Sequence, residues 1–314
     1  MEVTGSILAE KVLNNVGKVI VGKDETVRLM LTALLAEGHV LLEDVPGTGK
    51  TKLAKALAKT LNVEFSRIQF TPDLLPTDIT GLNTFNRQTN EFVLRKGPVF
   101  TNVLLADEIN RATPRTQAGL LECMEERQVT IDGETHTTGN PFFVIATQNP
   151  VETAGTFPLP EAQMDRFMMK LSMGSLQREE ELAVLERYME NDPLETLAGV
   201  VSGEELAEAV AEVSKVYVHK CIREYIIDIA EKTRKGEAVV LGVSPRGSLA
   251  LLKCAKAYAC LAGRTYVVPD DVKAVAAAVL SHRMILGYGR SNEAWDYVNR
   301  ILANTPVPTE DFKV

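Results

Sequence analysis

Between His39 and Leu61 the chain reads HVLLEDVPGTGKTKLAKALAKTL: a short apolar run, a glycine-rich loop, then a stretch of helical period. Few local patterns constrain a fold as tightly. The apolar run lacks polar alternation, so it reads as a strand buried on both faces, the strand type of a parallel sheet. Glycines let backbone N–H groups turn inward at the strand tip, and the following helix aims its positive N-terminus at the same point. The result is a cradle for phosphate. In the usual form, G-x-x-x-x-G-K-[ST], the lysine reaches the β- and γ-phosphates and the hydroxyl residue ligates Mg²⁺. Gly49, Lys50 and Thr51 are in place, but the first glycine position holds Asp44. Aspartate tolerates positive φ better than most residues, so the turn is expected to survive, with the carboxylate turned away from the phosphates. The expected nucleotide contacts run from Val45, Pro46, Gly47 and Thr48 through Gly49, Lys50, Thr51 and Lys52.

The same alternation of strand and helix continues. FSRIQF (65–70), TNVLLAD (101–107), FFVIAT (142–147) and RFMMKL (166–171) read as four further strands. Five short apolar strands separated by helices imply an α/β fold with a mostly parallel sheet covered on both faces. Before them, KDETVRLMLTALLAEG reads as a helix with Asp24 as N-cap and Gly38 as its stop.

Chemistry gathers at the strand ends. VLLADEINRA closes an apolar strand with Asp107 and Glu108. Asp107 could hold Mg²⁺ through water, and Glu108 could activate the attacking water as general base. A strand followed by Asp-Glu means little alone; downstream of a phosphate loop it carries weight. Asn149, just past FFVIAT, either orients that water or forms a turn with Pro150. Arg166 falls at a helix-to-strand junction, where a salt bridge is the ordinary reading. Arg246 opens a helix in SPRG, where a cation opposes the helix dipole and an anionic ligand would explain it.

Two segments interrupt the pattern. Residues 79–100 read as a hairpin around NRQTNE, and residues 127–139 as a second around Asp132-Gly133, a strong turn signal. After Leu171 the character becomes helical: Ser202 and Glu205 have capping-box spacing, and Ser244-Pro245 and Pro269 open two more helices. The expected units are residues 1–173 and 174–314, with the boundary near Met173-Gly174.

Composition narrows the classes. A net charge of −8 disfavours broad contact with nucleic acid. No apolar run approaches the ~20 residues of a membrane span, and the N-terminus lacks a basic-then-apolar export pattern. The four cysteines have no CxxC spacing and the four histidines are scattered, which fits reduced thiols in a cytoplasmic protein and disfavours a histidine metal site.

In this order, VGK (21–23), EDVPGTGKT, FTPDLLPTDITG (70–81), GPVF (97–100), LLADEINRA, ATQNP, GTFPLPEAQMDRF (155–167) and SPRG resemble the MoxR family of AAA+ ATPases over roughly residues 20 to 250. The resemblance implies an AAA+ P-loop core with a five-stranded parallel sheet between helices, then a small all-α lid. It implies a Mg²⁺-dependent ATPase, a hexameric ring, and chaperone-like remodelling of partners that carry von Willebrand factor A domains, often for metal-cofactor insertion. By the same resemblance Asn149 is sensor 1, Arg246 is sensor 2 touching the phosphates of its own ATP, and Arg166 is the finger reaching a neighbour's γ-phosphate. Val21 and Gly22 belong to the adenine pocket, and Arg111 is interfacial. One hairpin would interrupt the helix after the P-loop helix and the other precede the sensor-1 strand, both facing a central pore. A metallochelatase motor subunit, a nucleic-acid motor and a non-hydrolysing switch are the alternatives.

Overall fold

The computed structural model describes residues 3–45, 47–151, 155–189, 191–236, 239–287 and 291–308. The first half comprises α1 (Thr4–Val16), α2 (Asp24–Leu35), β1 (Val40–Glu43), α3 (Lys50–Thr60), β2 (Phe65–Gln69), α4 (Pro76–Thr80), β3 (Gly81–Asn86) and β4 (Glu91–Lys96). There follow β5 (Val103–Asp107), α5 (Pro114–Glu126), β6 (Gln128–Ile131), β7 (Glu134–Thr137), β8 (Phe143–Gln148), α6 (Glu161–Met164) and β9 (Met169–Leu171). The rest is α7 (Arg178–Arg187), α8 (Gly203–Lys215), α9 (Lys220–Lys235), β10 (Val239–Leu241), α10 (Pro245–Leu261), α11 (Pro269–Leu280), β11 (Ile285–Leu286) and α12 (Ser291–Ala303).

The five expected strands form one parallel sheet in the order β2-β5-β8-β1-β9. Strand pleating sends alternate residues to opposite cores. Val40, Leu42, Leu105, Ile145 and Met169 join a core shared with α1, α2, α3 and the C-terminal helices. Leu41, Leu104, Ala106, Val144 and Ala146 face a second core built with α5 and Val129 and Ile131 of β6. Both faces are therefore covered, as the unbroken apolar runs require.

The two hairpins, β3–β4 and β6–β7, fall where the sequence places them. Asp132 and Gly133 turn the second with φ of 49° and 87°, the pair of positive values that a tight two-residue turn demands. Before the first hairpin stands only the five-residue α4, and no helix follows it before β5, so it extends a short helix rather than interrupting one. Four other details differ from expectation. The last sheet strand spans only Met169–Leu171, leaving Arg166 in the turn after α6. Asp24 is the first residue of α2 and Lys23 its N-cap. That helix ends at Leu35, and the chain turns away at left-handed Glu37 (φ 57°), whose N–H donates to Leu34 O while Gly38 N–H donates to Ala33 O. Arg127 donates to the Glu37 carbonyl and steadies the turn, and Gly38 is small because a side chain there would collide with Met168. Finally, the helical second half includes the short antiparallel ribbon β10–β11, too brief to register as a pattern.

The N-terminal helices sit against the C-terminal ones: α1 contacts α8 and α10, and α2 contacts α10. Buried Asn15 on α1 donates to Thr60 Oγ1 (3.0 Å) and to Ala198 O (2.9 Å), tying α1 to the end of α3 and to the connection before α8. Among the described residues, no helix is long and apolar enough to cross a membrane.

Candidate active site

Sheet register builds the site. Gln69 pairs with Asp107, and Leu42 with Thr147, one step beyond the Ala106–Ala146 pair. Gln69, Asp107 and Thr147 therefore stand in one row at the carboxyl edge, where open α/β sheets bind ligands. Thr147, fully buried, bridges the acidic pair. Its hydroxyl donates to Asp107 Oδ1 at 2.6 Å and accepts from the Glu108 N–H at 2.8 Å. That second bond holds Glu108 in the left-handed region (φ 57°, ψ 51°), a conformation costly for a non-glycine residue and typical of functional sites. The Glu108 carboxylate is braced through one oxygen. Gln69 Nε2 donates to Oε2 at 2.8 Å, and Arg111 Nε lies 3.0 Å from the same atom. Arg67 pairs with Asp107 Oδ2 at 2.7 Å.

The phosphate loop closes on the other side of this row. Gly47 and Gly49 have φ of 86° and 87°, a conformation that favours glycine. Asp44 is not among the positive-φ residues. The first glycine is replaceable because the backbone does not need it, rather than because aspartate tolerates the strain. Asp44 is buried and its carboxylate faces away from the loop. Ser172 Oγ donates to Oδ1 at 2.7 Å, and the Met173 N–H donates to Oδ2 at 2.6 Å. Its carbonyl accepts from Lys50 Nζ at 2.8 Å, so the lysine lies across the loop. Burial pulls the Lys50 ammonium below the ordinary lysine value, while the carboxylates of Asp44, Asp107 and Glu108 act the other way.

These groups line a pocket of about 560 Å³. Of the expected residues, Val21, Gly47, Thr48, Gly49, Lys50, Thr51, Lys52, Asp107, Glu108 and Asn149 meet there. Asn149 also accepts the Val151 N–H at 3.1 Å, so it both forms the turn and reaches the pocket. Gly22 stands behind Val21 with φ 67°, against the Glu180 carboxylate of α7. Val45 lies behind the loop, and Pro46 lies outside the described residues. Sequence reasoning missed the wall opposite the loop: Leu176, and Val184, Leu185 and Tyr188 in and just after α7. Apolar residues on a helix otherwise read as REEELAVLERYME were the available signal. Lys52 fastens this wall to the loop helix, 3.8 Å from the Tyr188 ring centroid and 3.1 Å from Asp192. Sequence reasoning also missed Gln69 and Thr147, which act from within strands.

Two expected residues are elsewhere. Arg166 and Arg246 both reach Glu125 at the end of α5, at 3.0 and 3.1 Å. Neither arginine lines the pocket, and Arg246 is paired with Glu125 and, at 3.9 Å, with Asp165. The first turn of α10 thus reaches the end of α5 through the Arg246 side chain.

For Mg²⁺ the fit is consistent. The Thr51 hydroxyl lines the pocket, and both Asp107 oxygens already accept hydrogen bonds, which suits an aspartate acting through metal-bound water. Among the described residues no cluster of three His, Cys, Asp or Glu could hold a metal ion.

Phosphate-loop chemistry on this strand order, with a helical unit closing one side of the pocket, is the design of an AAA ATPase. Residues 39–169 match the family described as "ATPase family associated with various cellular activities (AAA)", and residues 231–299 match the AAA lid domain. A Bacillus subtilis protein named YeaC is 53% identical over 89% of this chain and 87% of its own length. The protein named Chaperone MoxR1 of Mycobacterium tuberculosis is 40% identical over 95% of this chain and 82% of its own. A crystal structure of an ATPase candidate from Cytophaga hutchinsonii superposes with a TM-score of 0.88 at 40% identity, covering 98% of this chain and 97% of the other. The chain belongs to the MoxR family of AAA+ ATPases, and its activity is ATP hydrolysis.

Proposed function

We propose that the chain works as a hexameric ring in which Mg²⁺-dependent ATP hydrolysis drives remodelling of partner proteins in the cytoplasm. The observation that carries this reading is the separation of the arginines from their own pocket. Lys50, Asp107, Glu108 and Asn149 converge on one pocket, while Arg166 and Arg246 stand together at Glu125. The arginines that do reach the site, Arg67 and Arg111, are held by the carboxylates of Asp107 and Glu108; with Arg166 and Arg246 outside it, the site is half of a phosphoryl-transfer apparatus, and a second copy supplies the rest.

Each residue then has a task. Loop N–H groups and Lys50 hold the β- and γ-phosphates in place of the Asp44 carbonyl. Thr51 and Asp107 would hold Mg²⁺, which supplies charge neutralisation across the phosphate oxygens when bound. Glu108 takes a proton from the attacking water, its orientation set by Gln69 and Arg111 and its backbone by Thr147. Asn149 faces the same water from β8. Arg166 and Arg246 of one subunit bear on the γ-phosphate of the next, where an arginine in trans is worth about 10³–10⁵ in rate.

Hydrolysis moves the lid through α7, and the lid moves the hairpins. Phe85 and Phe92 pair across β3–β4 with ring centroids 5.4 Å apart, yet both are exposed, which supports contact with a client chain in a central pore. Partners with von Willebrand factor A domains and a role in metal-cofactor insertion complete the proposal; nucleic acid does not enter it. The test is turnover per chain against chain concentration, with sedimentation in parallel. Turnover should rise as rings form, and ring-forming Arg166→Ala should lose about 10³-fold or more. Equal turnover in dilute, unassembled chains would sink the reading.

A further inference from the structure

Arg166 and Arg246 come from different parts of the chain, one following α6 and the other opening lid helix α10, yet both end on one carboxylate. Arg166 Nε lies 3.0 Å from Glu125 Oε2, and Arg246 Nη2 donates to Glu125 Oε1 at 3.1 Å. Two guanidiniums sharing a carboxylate repel each other, and Arg246 is further disfavoured at the positive end of α10. The neighbouring acid is the weaker partner. Asp165 is engaged by buried Arg283, whose Nε donates at 2.6 Å, and Arg246 Nε reaches it only at 3.9 Å. Glu125 is thus the group that lets the two cations stand side by side. It lies in the last turn of α5, whose negative helix end adds to its effect.

A guanidinium has five N–H donors, so one bond to Glu125 exhausts neither arginine. A side chain fixed in this way has less rotational freedom to lose when it meets a phosphate. We infer that Glu125 is a positioning residue of the ATPase, holding Arg166 and Arg246 together as one phosphate-binding pair presented to the adjacent subunit. This rests on the proposed reading that both arginines act across a subunit boundary. It adds that one carboxylate ties the arginine of the core to the arginine of the lid, so the pair is complete only while the lid keeps its seat on α5. Glu125 itself touches no phosphate.

The experiment uses the full chain, assembled and saturated with Mg-ATP. Glu125→Gln keeps the shape and removes the charge; it should lower kcat by about ten- to a hundredfold, as misplaced catalytic groups do. Binding of a fluorescent ADP analogue to the chain's own pocket should be unchanged. Glu125→Asp, shorter but charged, should recover part of the loss. Rings mixed from Glu125→Gln and Glu108→Gln chains then separate the causes. Glu108→Gln chains have a dead site but intact arginines, so Glu125→Gln sites facing them should regain turnover. Arg166→Ala mixed with Glu108→Gln is the control for the trans reading itself. Rescue of Arg166→Ala without rescue of Glu125→Gln would refute the role of Glu125 and leave the trans reading standing. Wild-type turnover in Glu125→Gln would refute it as well. Rescue of neither would overturn the trans reading and this inference together.

Discussion

At the scale of single residues, Asp44 shows how a motif can depart from its usual form without losing its function. The sequence suggested a strained glycine substitute with its carboxylate turned outward. The outward orientation is observed, with both oxygens occupied in holding Ser172 and Met173 at the exit of β9, but the strain is not, because Asp44 does not adopt a positive φ. Restoring the usual glycine should therefore be harmful. Asp44→Gly strands the buried Met173 N–H, a loss of about 1–3 kcal/mol that should lower the urea midpoint; a neutral or stabilised variant would contradict the account. Thr147 makes a similar case from the other side of the site. Thr147→Val leaves Asp107 Oδ1 and the Glu108 N–H without the bridging hydroxyl. It should cost about 2 kcal/mol in the same measurement and slow turnover while nucleotide binding persists; wild-type kcat would refute the bridge. The loop and the acidic pair were legible because their chemistry resides in the residue types themselves. Thr147 and Gln69 were not, since a polar residue inside a strand discloses its partner only once register is known.

At the scale of elements, the most consequential joint is His39, just ahead of β1. Fully buried, it bonds Met124 O on α5 through Nε2 and accepts the Val144 N–H of β8 through Nδ1, both at 3.0 Å. Burial pushes its pKa down to about 4, and burial lowers that of His282 as well. Above the ordinary value of about 6.5 the folded and unfolded chains carry the same proton count at His39. Between 6.5 and 4 the unfolded chain binds a proton that the folded one refuses, so stability falls as the medium is acidified. For this residue the loss is about 2 kcal/mol at pH 5 and approaches about 3 kcal/mol only toward pH 4. Urea midpoints measured at pH 7.5 and pH 5 should show it, and His39→Gln should flatten the dependence; an unaltered slope would remove His39 from the explanation. Elements with stereochemical signatures were the readable ones, the Asp132-Gly133 turn above all. The turn after α2 was displaced by one residue because Arg127, 90 positions away in sequence, supports Glu37 in a glycine-like conformation.

At the scale of the molecule, chain order does not reveal how the lid is seated. The fold class and the helical second half were legible, but the placement of Arg246 depends on its side-chain bond to Glu125 at the end of α5, between residues 121 positions apart. The same long-range packing qualifies the expected division at Met173-Gly174. One apolar core runs from the sheet face through α1, α2 and α3 into α8, α9, α10 and α11. The N-terminal helices, which chain order assigns to the core, lie against α8 and α10 of the lid. A unit deprived of them would expose the apolar faces of α8 and α10. The two parts should therefore unfold together: calorimetry of the unassembled full chain is expected to give one transition, with calorimetric and van't Hoff enthalpies equal. Residues 174–314 expressed alone should show no cooperative melt. Saturating nucleotide should raise the single midpoint, by about 2.7 kcal/mol of stability at a hundredfold excess over Kd, and Tyr188→Ala, which opens the α7 wall of the pocket, should reduce that rise. Two resolved transitions, or a folded lid fragment, would mean that core and lid are joined only by their linker. Lid motion could then not be transmitted through the shared core, and the loop–α7 contact at Lys52 would be the remaining route.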